Sequence, residues 1–390
     1  MREYIIFSQS LENFLIDLSS YFIILIILIL LNYTKYINKR LLIFFSFYSS
    51  TPFFFNDVLI SSESMWDQYT NVFHLTDFRA HLFSNEYFSQ YMQPTYENNF
   101  YQDKKLIIGS HILGLAPIIY VNSINSIAFI NKLLLMLTSI YLIKNDYIKK
   151  SNLFFILLFP STIIYSSLSL KEVLLGIASV WAFITIEKKK YFAFLTIVLI
   201  FFFIRPQYIG FIGTFIIIYH FQKYFFNNKT FLLIIYFFIV AILYLFSEII
   251  FEYINYKIRV YNQEDAGWGS KLDITNINFI SFSFTSIVTN IKIVLNKLIL
   301  NWPLPLKFKI LFIFENITLF YFIFKNFKSD LQINSYKAYM SFIFLFLAIF
   351  FLYIMFPNML PLHRYFYPYL LFYLFISKLN FKNENNSYNK

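Results

Sequence analysis

Few residues in this chain can ionise, and several of those sit at the edges of long apolar runs. The densest group lies in Phe159-Pro160-Ser161-Thr162-Ile163-Ile164-Tyr165-Ser166-Ser167-Leu168-Ser169-Leu170-Lys171-Glu172. There a proline, several hydroxyls and the adjacent pair Lys171–Glu172 interrupt apolar sequence on both sides. An ionisable side chain at membrane depth costs roughly 2.5–3.5 kcal/mol on insertion scales, so it faces a wet cavity or a partner. Lys171 has the charge to hold a phosphate or a sugar. Glu172 has two readings. It is an acid of a reactive site, or it decorates a helix start, with Ser169 as N-cap and Glu172 closing a capping box.

Two arginines share a second pattern. Arg205 follows Phe201-Phe202-Phe203-Ile204 and is followed by the helix breaker Pro206 and by Gln207. Arg364 and Tyr365 end the segment Pro357-Asn358-Met359-Leu360-Pro361-Leu362-His363. A guanidinium is a planar, permanently charged fork suited to phosphate. The other reading of each arginine is a side chain reaching out to the membrane interface. Glu315 lies inside the apolar run Phe308–Phe324, where a carboxylate needs a partner. Structural pairing and catalysis are both open for it.

Asp57, Glu63, Asp67 and Asp77 are candidate general bases, with Asp67 and Asp57 preferred. Asp67, His74 and His81 recur every seven residues and so share one helix face. A solvated face is the preferred reading of that pattern, and a divalent-metal site the other. No Gly-rich phosphate loop, HExxH, GxSxG or Walker motif is present, so cytoplasmic nucleotide hydrolysis has no support and no cofactor is expected.

The elements that carry these residues follow from composition. Of 390 residues 58% are hydrophobic and only 14% are charged, with mean hydropathy +0.59. Soluble domains average ~45–50% apolar and ~25% charged. The fold class is therefore an all-α polytopic membrane protein with about eleven spans. The spans are Leu18–Thr34, Leu41–Phe55, Ile127–Ile143, Asn152–Ser166, Val173–Ile186, Tyr191–Ile204, Tyr208–Phe221, Phe231–Ile250, Phe308–Phe324, Ala338–Phe356 and Tyr365–Ile376. Leu106–Tyr120, with its glycines and Pro117, is re-entrant or interfacial. The net charge of +11 sits in short loops between apolar runs, which is a topogenic pattern and argues against nucleic acid as partner. Cysteine is absent, so neither disulfides nor thiolate chemistry is available. Met1–Asp17 lacks a signal-peptide cleavage pattern, and the first span reads as a retained anchor.

The basic segments Lys35–Arg40, Lys144–Lys150, Glu187–Lys190, Gln222–Lys229, Lys325–Lys337 and the tail from Lys378 alternate cleanly if all six face the cytoplasm. The polar and proline-containing turns then gather on the opposite, extracytoplasmic face. Two long loops belong to that face: residues 56–105, and residues 251–307 with an interfacial helix over Asn276–Leu300. The whole of 1–390 reads as one integral membrane domain. No internal repeat is evident.

Phe159-Pro160-Ser161 with the following Ser-Leu-Lys-Glu, then Arg205-Pro206, Trp302-Pro303-Leu304-Pro305 with Glu315, and Arg364-Tyr365 with Pro368 form a set. As a set they resemble bacterial polytopic proteins of surface-polysaccharide loci, described as O-antigen-polymerase-like or C-type glycosyltransferase-like. The resemblance covers roughly Leu153 to Tyr369 as scattered short motifs. It implies an enzyme of the bacterial inner membrane that transfers glycosyl groups at the extracytoplasmic face, with a polyprenyl-phosphate-linked sugar or oligosaccharide as substrate. Arg205, Arg364 and Lys171 would hold the pyrophosphate, with Gln207 and Tyr365 beside them. An acid of the first loop, Asp57 or Asp67, would be the base. The rival readings are a flippase for lipid-linked oligosaccharide and a non-catalytic assembly subunit.

Overall fold

A computed structural model describes residues 11–54, 68, 71–72, 75, 109, 111–116, 123–205, 207–225, 363–379 and single helical positions between 241 and 325. For 11–13, 207, 218–225 and 363–366 it describes the helix only. Among the described residues the fold is all-α, without strands. The helices are α1 (Leu11–Tyr33), α2 (Lys39–Ser49), α3 (Ser126–Lys144), α4 (Lys150–Leu157), α5 (Pro160–Ser166), α6 (Glu172–Glu187), α7 (Tyr191–Ile204), α8 (Gln207–Phe225) and α9 (His363–Ile376). Two helices of the described set are long and apolar enough to cross a membrane, Phe14–Tyr33 within α1 and Ser126–Lys144. The second is mostly buried inside the protein.

The chain divides into two compact units. Unit 1 is Met1–Pro206 with Leu370–Lys390, and unit 2 is Gln207–Tyr369. In unit 2, α8 packs its aromatic face on Tyr369. Tyr208 stacks on that ring at 4.9 Å and Phe211 meets it edge-on at 4.7 Å. Such ring pairs add about 0.5–1.5 kcal/mol beyond the area they bury.

Unit 1 is built on three helical hairpins, α1–α2, α3–α4 and α6–α7, and all three turn in the same way. The amide of Tyr36 donates to the carbonyl of Leu31 at 2.8 Å, that of Tyr147 to Leu142 at 2.9 Å, and that of Lys190 to Thr185 at 2.8 Å. This six-to-one bond closes a helix whose next residue is left-handed. Those residues are Lys35, Asp146 and Lys189, at φ of 60°, 57° and 55°. A non-glycine residue in that conformation costs roughly 1 kcal/mol. The first two hairpins also share sequence: Leu31-x4-Tyr36-Ile37-x-Lys39 and Leu142-x4-Tyr147-Ile148-x-Lys150. Ile37 and Ile148 are both buried. A repeated turn is therefore present. It is hard to see in the sequence because it spans only nine positions and its third copy, around Lys189, keeps the geometry without the residues.

Side-chain contacts bring the three turns to one end of unit 1. The ammonium of Lys144 lies 3.4 Å from the centre of the Tyr36 ring. Lys188 donates to the Tyr141 hydroxyl at 3.0 Å and lies 4.7 Å from the Tyr147 ring. In the tail, Lys378 sits 5.8 Å from the Phe155 ring. Parts of four of the six basic segments thus meet at one end of unit 1.

The segment expected to form a single span over Asn152–Ser166 is broken. Pro160 opens α5, where its missing N–H is not needed, and Phe159 before it is extended at ψ 131°. A second break follows at Ser167–Lys171, between α5 and α6. Its exposed backbone groups are satisfied by side chains from elsewhere. Asn131 donates to the carbonyls of Leu168 at 3.0 Å and Leu170 at 2.8 Å. Asn71 donates to the carbonyl of Ser169 at 3.1 Å, and Gln68 accepts from its amide at 3.1 Å. Replacing Asn131 with alanine leaves the buried carbonyl of Leu170 without its side-chain donor, at roughly 1–3 kcal/mol, and leaves that of Leu168 with the Leu170 amide alone. The expected outcome is a clear fall in the melting temperature of purified, detergent-solubilised Asn131→Ala. Thr196→Ala, at an exposed position on α7, is expected to melt like the wild type.

Candidate functional site

The polar end of unit 1 lies opposite the three basic turns, and the break between α5 and α6 is its centre. Below the break stands Lys132 of α3, which is fully buried. Its ammonium donates to Ser166 Oγ at 2.6 Å and to the carbonyl of Ile163 at 3.3 Å, and lies 3.9 Å from the centre of the Tyr48 ring. Ser166 and Ile163 belong to the last turn of α5. The carbonyls left open there form the negative end of the helix, so a cation is favoured at that place. The Tyr48 hydroxyl shares a hydrogen bond with Ser166 Oγ at 3.1 Å, and Thr51 Oγ1 shares one with Ser167 Oγ at 2.9 Å. The C-terminal end of α2 is thereby tied to the same break.

Ser169 does not cap α6. Its hydroxyl donates to the carbonyl of Ile124 and accepts from the amide of Ala128 at 3.3 Å. Lys171 is the residue that precedes the helix, in a helical conformation and without a side-chain cap, and Glu172 is the first residue inside. The capping box expected from Ser169 and Glu172 is therefore replaced by a tertiary contact with the start of α3. Glu172 still stands in the first turn, where its charge suits the helix dipole.

Lys171 and Glu172 are both buried. The Lys171 stem packs on Gly109. A Cβ added there would stand 3.3 Å from Lys171 Cδ and 3.6 Å from Ile204 Cγ2. Ile204 is the last residue of α7, and Arg205 follows it in an extended conformation, half-buried. Lys171 and the helix end that precedes Arg205, far apart in sequence, in this way meet at one glycine. Nearby, Asn125 Nδ2 donates to Asp17 Oδ2 at 2.6 Å, joining α1 to the start of α3. Asp17 is itself buried.

The other expected site residues divide as follows. Glu315 is a buried helical residue of unit 2. Gln207 opens α8, and Arg364 and Tyr365 lie in the first turn of α9. Asp57 and Asp67 lie outside the described residues, as do Glu63, Asp77, His74 and His81. Among the described residues no three acidic, histidine or cysteine side chains gather into a metal site. Sequence reasoning missed Asn131 and Lys132. The signal was there, since a lysine within the apolar run Ile127–Ile143 is an intramembrane ionisable residue. It also missed Gln68 and Asn71, whose bonds to Ser169 no local pattern announces.

No family model, curated protein or solved structure matches this chain.

The Gly109 contact generates a graded prediction. Gly109→Ala asks only a small shift of the flexible Lys171 stem, and its melting temperature is expected to stay close to that of the wild type. Gly109→Leu overfills the space between Lys171 and Ile204, at about 1–3 kcal/mol. Melting of the two purified variants checks this. Equal and large losses in both would mean that the gap has no room even for a methyl group.

Proposed function

We propose that this is a polytopic protein of the bacterial inner membrane, with about eleven spans, that transfers glycosyl groups from a polyprenyl-phosphate-linked saccharide at the extracytoplasmic face, as a polymerase or transferase of cell-surface polysaccharide. The observation that supports the reading is the contact of Lys171 and of Ile204, the residue before Arg205, with Gly109, at the end of unit 1 away from the basic turns. A lysine and an arginine on one packed scaffold suit the pyrophosphate of a lipid-linked donor. They would stabilise the negative charge that develops on the leaving pyrophosphate as the glycosidic carbon is attacked. The acceptor hydroxyl loses its proton to a carboxylate as it attacks. Asp67 is favoured over Asp57 for that role, because the next residue in the chain, Gln68, bonds the turn that carries Lys171. The exposed apolar side chains Phe192, Leu195, Leu199 and Phe202 fit a lipid-facing surface that runs along α7 from the basic turns to this end.

The test is the surface-polysaccharide profile of a deletion strain complemented with wild type, Lys171→Met, Arg205→Ala or Asp67→Asn, each present in the membrane at equal amount. Single-repeat material in the deletion, unrescued by the two cation variants and by Asp67→Asn, is the expected result for a polymerase. A truncated repeat unit would mean transfer of one sugar. Lipid-linked repeats trapped on the cytoplasmic side would mean a flippase instead. Full rescue by every variant would remove these residues from any catalytic role. Arg364→Ala and Glu315→Gln, in unit 2, belong in the same series as separate arms.

A further inference from the structure

Ten cationic side chains sit on or beside the three hairpin turns and the start of the tail, and they divide sharply. Lys144, itself exposed, and Lys188 and Lys378, half-buried, are engaged with Tyr36, Tyr141, Tyr147 and Phe155. The other seven are exposed: Lys35, Lys39 and Arg40 at the first turn, Lys149 and Lys150 at the second, Lys189 and Lys190 at the third. Among the described residues their side chains make no hydrogen bond, ion pair or ring contact. The turns hold two acids, Asp146 and Glu187, and neither is free. The surface that results is strongly positive and lies next to exposed Tyr33, Tyr191 and Phe192 at the ends of apolar helices. Aromatic side chains of that kind settle at the headgroup level of a bilayer.

Backbone conformation supplies a second, independent observation. The left-handed position of each turn favours glycine, yet the chain places lysine there in two of the three, Lys35 and Lys189. These two lysines are therefore borne at a cost in backbone strain.

We propose that this end of unit 1 is a docking surface for anionic phospholipid headgroups, seated on the free cations of the three turns. It rests on the membrane reading of α1 and α3 and is independent of glycosyl transfer. Lysine and arginine side chains near an anionic leaflet bind it additively.

The test uses the purified full-length chain in neutral detergent, titrated with phosphatidylglycerol, with phosphatidylcholine or with inorganic phosphate, and read by lipid retention in native mass spectrometry and by melting temperature. Retention and stabilisation by phosphatidylglycerol alone is expected. Lys149→Gln/Lys150→Gln and Lys189→Gln/Lys190→Gln are each expected to weaken retention roughly tenfold or more. Lys35→Gly and Lys189→Gly separate folding from binding. Without lipid they are expected to melt above the wild type, because the strain is relieved, and with phosphatidylglycerol to retain less of it. Equal response to phosphatidylcholine, an equal effect of inorganic phosphate, or undiminished retention in all the lysine variants would each overturn the proposal. Loss of polysaccharide synthesis would leave these readouts untouched, and failure here would leave the glycosyl-transfer reading untouched.

Discussion

Everything at the polar end of unit 1 depends on one constraint. A helix is interrupted inside packed, apolar surroundings, and its open backbone groups must find partners there. Two consecutive residues of α3 meet most of that demand. Asn131 takes the carbonyls of Leu168 and Leu170, and Lys132 takes the end of α5 through Ser166 and Ile163. The pair costs a buried cation. The cost is offset by the negative end of α5, by a charge-assisted hydrogen bond to Ser166 and by the face of the Tyr48 ring. With the break held, Lys171 and Glu172 have a fixed place at the start of α6, and Gly109 lets the Lys171 stem lie against the end of α7.

The two ends of unit 1 are built by different means. At the basic end three short turns repeat one backbone solution, tied by lysine–aromatic contacts that exposed charges allow cheaply. At the polar end no solution repeats. Hydroxyls, amides and one ammonium fill a break that the local sequence cannot satisfy by itself. Among the described residues the left-handed non-glycine positions lie at the basic end, at Lys35, Asp146 and Lys189, while the polar end is costly in desolvation instead. That division fits a molecule that sits in a polarised environment, with a plain charged face on one side and a shaped, partly dry face on the other.

Much of this architecture is legible from sequence, and the exceptions have physical causes. Lysine-rich loops and the Phe159-Pro160-Ser161 break announce themselves through charge and through proline stereochemistry, which act locally. The start of α6 does not. Ser169 and Glu172 have the spacing of a capping box, but the Ser169 hydroxyl is claimed by Ile124 and Ala128 of a distant segment. Lys132 is hidden for a different reason, since averaging hydropathy along Ile127–Ile143 lets one ammonium vanish among aliphatic neighbours. The meeting of Lys171 with Arg205's helix end depends on Gly109, a contact between three segments that no single stretch encodes.

The most direct test that the Lys132–Ser166 bond holds the break is a double-mutant cycle on Lys132→Met and Ser166→Ala, measured as unfolding free energy in one detergent. Hydrogen bonds to charged groups contribute about 1.5–3 kcal/mol, so this bond predicts a coupling energy above about 1 kcal/mol. It also predicts faster amide exchange across Leu168–Leu175 in the single Lys132→Met variant. Additive losses with unchanged exchange there would mean that Lys132 is a buried passenger, and that something else holds the break.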